Sequence, residues 1–167
     1  MPLEEKIRAD LWPGVRCERL FCRIAGASLG DERDEACHVD CWWRGRAIDV
    51  KGRKAGHESG YLLLEFRNVM GAKGWMYGGA DAIAFLMLEG FLVVGRRELL
   101  AMAMGLIDLR DKVHRQNKVD PARWVHRLVG RVGRGDVFTY VERGRVEMLP
   151  HVWVRLDGSV EVYGKGD

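Results

Sequence analysis

Prolines and cysteines are scarce in this chain, four of each among 167 residues. Cys17, Cys22, Cys37 and Cys41 contain no C-x-x-C pair, so the spacing implies neither a disulfide framework nor a common zinc site. Cys37, His38 and Cys41 are near one another, but both thiols fall on the side of a strand expected to face the core, where buried thiols are the simpler reading. No apolar run approaches the length of a membrane span, and Met1–Lys6 lacks a signal-peptide pattern. The expectation is a cytoplasmic protein with no membrane partner. A Gly-Lys-Ser/Thr ending is also missing, so glycine-rich residues 71–81 are not read as a phosphate-binding loop. What remains is 47% apolar and 31% charged, a composition that suits a globular chain and excludes a disordered one. The length suits one domain over 1–167, with a core over about 1–149 and a C-terminal hairpin over 150–167.

The chain is organised around residues 38–51. Arg44-Gly45 is an X-Gly pair suited to a two-residue hairpin turn. That turn sets Trp43 against Arg46, Asp40 against Asp49 and His38 against Lys51. Alternation then puts His38, Asp40, Asp49 and Lys51 on one face, with Val39, Cys41, Ile48 and Val50 on the core side. Two opposed aspartates repel each other unless something positive lies between them. Lys51 is one candidate and a divalent metal is the other. Mg²⁺, or Mn²⁺ in its place, accepts one or two carboxylates and keeps several waters. A lysine beside it can orient a water or offset phosphate charge. An ordinary hairpin with a solvated Asp and Lys face is the bland alternative.

Net charge is only +3, yet it is uneven. Residues 110–134 hold eight arginines and lysines against two aspartates. Asp120-Pro121 reads as a helix start, with Asp as N-cap and Pro at the first position, running to about Leu128 or Val129. That helix would display Arg123 and Arg127 to a phosphate backbone. Gly52–His57 reads as a flexible basic connection in which Arg53 and Lys54 could also meet phosphates. Either feature could equally be a solvated surface.

Asp40, followed by Asp49-Val50-Lys51 at the end of the next strand, resembles the PD-(D/E)XK nuclease superfamily, with its restriction-endonuclease-like, phage-type and Holliday-junction-resolvase-like members. The resemblance covers residues 36–52 and extends more loosely over Glu65 to Phe85. Val39 stands where the motif has proline, and Asp49 where glutamate is commoner. The resemblance implies that Asp40, Asp49 and the Val50 carbonyl hold Mg²⁺ while Lys51 assists catalysis. It also implies an acid on the first helix, for which Glu4 and Glu5 are candidates. Glu65 would point toward Asp49 if its strand lay beside the second hairpin strand, completing the metal shell or holding Lys51. The implied activity is Mg²⁺-dependent hydrolysis of nucleic-acid phosphodiesters, most readily DNA. A catalytically inactive nucleic-acid-binding module on the same fold is the rival, and the sequence is compatible with a monomer or a homodimer.

The expected fold is α/β, a central mixed sheet flanked by helices with a small C-terminal β extension. Leu3–Leu20 has helical spacing with an interruption at Pro13. Asp31–Glu35 reads as a polar loop. Residues 61–67, 82–88, 91–94, 137–141, 146–149, 152–156 and 160–163 read as strands, and 97–107 as a helix.

Overall fold

The computed structural model describes residues 15–52, 60–118 and 120–164. The architecture is α/β, with a seven-stranded mixed sheet, a second sheet of four strands and few helices. Helix α1 (Val15–Ala25) begins two residues after Pro13 and runs beyond Leu20. Strand β1 (Ser28–Leu29) leads into a short helix α2 (Glu32–Ala36), where a polar loop was expected. Its start is set by a capping box: Asp31 accepts the amides of Arg33 and Asp34, and Asp34 caps the Asp31 amide. Then come β2 (Cys41–Trp43), β3 (Arg46–Lys51), β4 (Tyr61–Arg67), a 3-10 turn (Trp75–Tyr77), β5 (Ala82–Met87) and β6 (Gly90–Gly95). Helix α3 (Arg96–Leu106), β7 (Lys112–Gln116), β8 (Leu128–Arg131), β9 (Val137–Glu142), α4 (Arg143–Val146), β10 (His151–Arg155) and β11 (Val160–Tyr163) complete the chain.

The large sheet has the order β1-β2-β3-β5-β6-β10-β11. Only β3 and β5 run parallel in it, pairing Asp49 with Ile83 and Lys51 with Phe85. The C-terminal hairpin extends this sheet, because β10 pairs with β6 from His151 opposite Val94 to Arg155 opposite Gly90. One face carries α1, whose Cys17 and Phe21 pack with Cys41, Trp43, Ile48, Val50, Ala84 and Phe91. The rings of Phe21, Trp43 and Phe91 meet edge to face there, a geometry that suits aromatic quadrupoles. The other face, with Ala47, Ile83, Phe85 and Leu92, packs against Leu62, Leu64 and Phe66 of β4 and Leu99 and Ala103 of α3.

Several sequence expectations give way here. Strand β4 does not lie beside β3; it opens the second sheet, ordered β4-β9-β8-β7, and β5 takes the place beside β3. The helix expected from Asp120 is a single turn, closed by the Asp120 carboxylate accepting the Ala122 amide. His126 then turns left-handed (φ 60°), and Leu128 enters β8. The strand expected at 146–149 is the end of α4 and a following turn, with the Leu149 amide bonded to the Val146 carbonyl. No described helix is long and apolar enough to cross a membrane.

Candidate functional site

The hairpin turn stands where the X-Gly pair predicts it. Arg44 (φ 50°) and Gly45 (φ 74°) are both left-handed, as a type I′ turn requires. The register that follows pairs Trp43 with Arg46, Trp42 with Ala47 and Cys41 with Ile48. Beyond Cys41 the regular ladder ends. The Asp40 amide also donates to the Ile48 carbonyl (2.8 Å), so Asp40 and Cys41 share one partner in the manner of a β-bulge. The Val50 amide donates to Asp40 Oδ2 (2.7 Å), and the side chain takes over from the main chain.

One extra residue reverses the alternation upstream. Val39 therefore buries with the β4-side core, while Cys41 and Ile48 bury with the α1-side core. Residue His38 is not opposite Lys51 either. It closes α2 in a left-handed conformation (φ 58°), its amide donating to the Glu35 carbonyl and its Nε2 lying 3.3 Å from the Lys73 carbonyl.

Asp40 and Asp49 nevertheless come together. Asp49 is 1% exposed, and its Oδ1 lies 2.6 Å from Lys51 Nζ. Its Oδ2 is buried with no hydrogen-bond partner among the described residues. Burial pushes the Asp49 carboxyl well above the usual range; the Lys51 ammonium opposes this without cancelling it, and the neighbouring Asp40 carboxylate pushes further up. Lys51 also lies over the Trp75 ring, 5.1 Å from its centroid, so the ammonium has a ring contact as well as its acid.

A third acid, Glu18 of α1, faces the same cluster. Its carboxyl is pushed from 4.5 to about 7, first by burial and then by Asp40 and Glu35, with Lys51 pulling the other way. The sequence reading passed over it in favour of Glu4 and Glu5, which lie outside the described residues. A signal was present: Cys17, Phe21 and Cys22 stand one, three and four positions from Glu18, so the acid sits within the helix's apolar stripe. The same surroundings act on the thiols, since burial raises both Cys22 and Cys41.

Glu65 lies on β4, opposite Phe138 of β9 and on the other side of that strand from Leu64 and Phe66. It is not beside Asp49 in a common sheet. Burial raises its carboxyl, while Lys51 and then His38 draw it down, so it borders the cluster electrostatically. Arg123 and Arg127 lie in the connection between β7 and β8, both against the Trp124 ring (4.8 and 4.9 Å). Arg127 is in addition bound to Asp111 at 2.5 Å. Arg53 and Lys54 lie outside the described residues.

The donor set suits a hard divalent cation. Asp40 lies beside Asp49 near the carboxyl end of β3, Glu18 approaches from the Asp40 side, and one Asp49 oxygen is buried without a hydrogen-bond donor among the described residues. Among the described residues, no three His, Cys, Asp or Glu side chains already form a ligand cluster. Water and a backbone carbonyl would fill out the shell, as Mg²⁺ readily permits.

No family model matches the chain, and neither does any curated protein or solved structure.

Proposed function

We propose that the chain is a metal-dependent nuclease that hydrolyses phosphodiester bonds, with DNA as its substrate and Mg²⁺ or Mn²⁺ as its cofactor. The observation that carries this reading is the deeply buried Asp49 carboxyl, ion-paired with Lys51 and set beside Asp40. A solvated hairpin face has no use for an acid buried this deeply, because burying a carboxylate is costly even when it is ion-paired.

Asp40, Asp49 and the Val50 carbonyl would hold the cation, with Glu18 as a further acid. When bound, the cation supplies Lewis-acid polarisation of the phosphate and lowers the pKa of water. The protein's own groups do the rest. Lys51, steadied by Asp49 and the Trp75 ring, presents an ammonium that orients the attacking water and offsets charge developing on the phosphate. Glu18, with its carboxyl near 7, can accept a proton at neutral pH. Asp40 is locked by the Val50 amide, which fixes one of its oxygens and aims the other.

The test is incubation of the purified protein with labelled branched, single-stranded and duplex DNAs, in Mg²⁺ and in EDTA. Cleavage in Mg²⁺ that disappears in EDTA and in Asp49→Asn supports the reading. Failure to cleave any member of the panel, or cleavage that survives Asp49→Asn, overturns it.

A further inference from the structure

Beside the acidic cluster stands a loop, residues 67–73, whose construction the hydrolytic site does not require. Its backbone is tied down throughout. Asn68 Oδ1 accepts the amides of Met70 and Ala72, each at 3.0 Å, and the Asn68 amide returns to the Ala72 carbonyl at 2.9 Å. The Gly135 amide donates to the Val69 carbonyl at 2.8 Å, joining the loop to the turn between β8 and β9. A Cβ at Gly135 would stand 2.6 Å from the Gly71 nitrogen, so the two segments are in close backbone contact.

This rigid support presents apolar side chains to water. Met70 is 86% exposed, Val132 54% and Val69 46%. Single exposed apolar residues need no explanation, but a group of them on a fixed loop does. In the same loop and the turn joined to it, Arg67, Lys73 and Arg134 are exposed and, among the described residues, form no ion pair. Arg131, in contrast, is neutralised by buried Asp136 at 2.5 Å. The loop hangs directly from the site: the Lys73 carbonyl meets His38, and two residues later Trp75 covers Lys51.

Exposed apolar residues on a fixed loop, with exposed cations in the same two segments, match the way proteins open a nucleic-acid helix. Phosphates are held by arginine and lysine, while a methionine or similar wedge enters between bases and unstacks them. A protein partner would be a poorer match, since interface cores are depleted in charge and these two short segments carry three exposed cations. We infer that Met70, backed by Val69 and Val132, is a wedge that unstacks a base pair at a fork or branch in DNA, feeding the freed strand to the carboxylates. This rests on the nuclease reading and narrows its substrate to branched or frayed duplexes in preference to continuous ones.

The test uses a forked DNA carrying 2-aminopurine at the branch, a probe whose fluorescence rises on unstacking. Binding is measured in Ca²⁺ and separately in EDTA, and cleavage in Mg²⁺. Wild type should raise the fluorescence severalfold, and Met70→Ser/Val132→Ser should abolish that rise with affinity changed less than tenfold. The same variant should cleave forks at least tenfold more slowly while cleaving single strands at the wild-type rate. Arg67→Ala/Lys73→Ala/Arg134→Ala should lower the slope of log affinity against log salt by about 3, as expected for three phosphate contacts. An unchanged fluorescence rise in the Met70/Val132 variant overturns the wedge. If wild type cleaves nothing but still unstacks the branch, the nuclease reading fails and the wedge stands. If forks and continuous duplexes are cleaved equally and no unstacking occurs, the reverse holds.

Discussion

Glu18→Gln should make the metal-free protein more stable at pH 8 and leave it unchanged at pH 4.5. The native Glu18 carboxyl titrates near 7 against 4.5 for the free side chain. Between those values the folded chain binds the extra proton, so the contribution is fully present below 4.5 and is lost as pH rises through 7. If fully expressed, a shift of that size corresponds to about 3 kcal/mol. Glu18 is only partly buried, and solvent screening reduces this to about 1–2 kcal/mol. Glutamine keeps the shape and removes the charge, so the cost imposed above pH 7 should disappear. For a chain of this length that corresponds to a rise in Tm of about 2–6 °C. The assay is thermal unfolding of both proteins from pH 4.5 to 8 in EDTA, followed by addition of Mg²⁺. With Mg²⁺ the order should reverse, because an acid that repels its neighbours in the empty cluster becomes a ligand or ligand partner, and binding to the native state alone stabilises it. A difference between the two proteins that is flat across pH, or a wild type that is the more stable at pH 8 in EDTA, would refute the placement of Glu18 in the acid cluster.

Mn²⁺ should substitute for Mg²⁺ in cleavage, whereas Ca²⁺ should support binding with little turnover because its looser coordination positions the reacting groups poorly; rates in each ion check this. Asp49→Asn should raise the Tm in EDTA while abolishing cleavage, and Lys51→Ala should abolish cleavage but lower the Tm, since it strips the buried acid of its cation. Matching Tm changes in those two variants would refute the opposed charges. Arg123→Ala should reduce the salt slope of DNA binding by about 1. Arg127→Ala should reduce it less, because Asp111 already neutralises that guanidinium, and titrations from 50 to 200 mM salt distinguish the two.

The parts of the fold legible in the sequence are those decided by neighbours along the chain. Arg44-Gly45 fixed its own turn, and the register out to Cys41 and Ile48 followed from it. Met87 to Gly90 and Arg155 to Val160 close hairpins for similarly local reasons. What the pattern concealed was non-local. Leu62, Leu64 and Phe66 alternate equally well in either sheet, and only packing across the core puts β4 with β9. Trp124 and Leu128 have helical spacing, yet His126 leaves the helical region and Leu128 joins a strand. The bulge at Asp40 was hidden because Val39 and Cys41 look like one apolar face; a single inserted residue sends them to different cores. The candidate site was accordingly legible in its two aspartates and lysine, while Glu18, which depends on how α1 packs against the sheet, was not.

The bulge also explains why two acids that cannot share a regular cross-strand position still meet. In an unbroken ladder Asp40 would face Asp49 directly and both would look to the same side, where like charges oppose pairing. The extra residue moves Asp40 to the end of the ladder, where the Val50 amide accepts its charge as a hydrogen-bond donor. Asp49 stays on the buried side, ion-paired with Lys51 and beside Asp40, with one oxygen that meets no hydrogen-bond donor among the described residues. A buried polar network that is only partly satisfied is less stable than an apolar one, so the arrangement costs the empty protein stability. On the nuclease reading, a bound divalent cation would offset that cost, because it would neutralise the repulsion between Asp40 and Asp49 and give the buried Asp49 oxygen a partner. On that reading the instability of the empty cluster and its affinity for a cation would have the same origin, and any substitution that relieves the first should weaken the second.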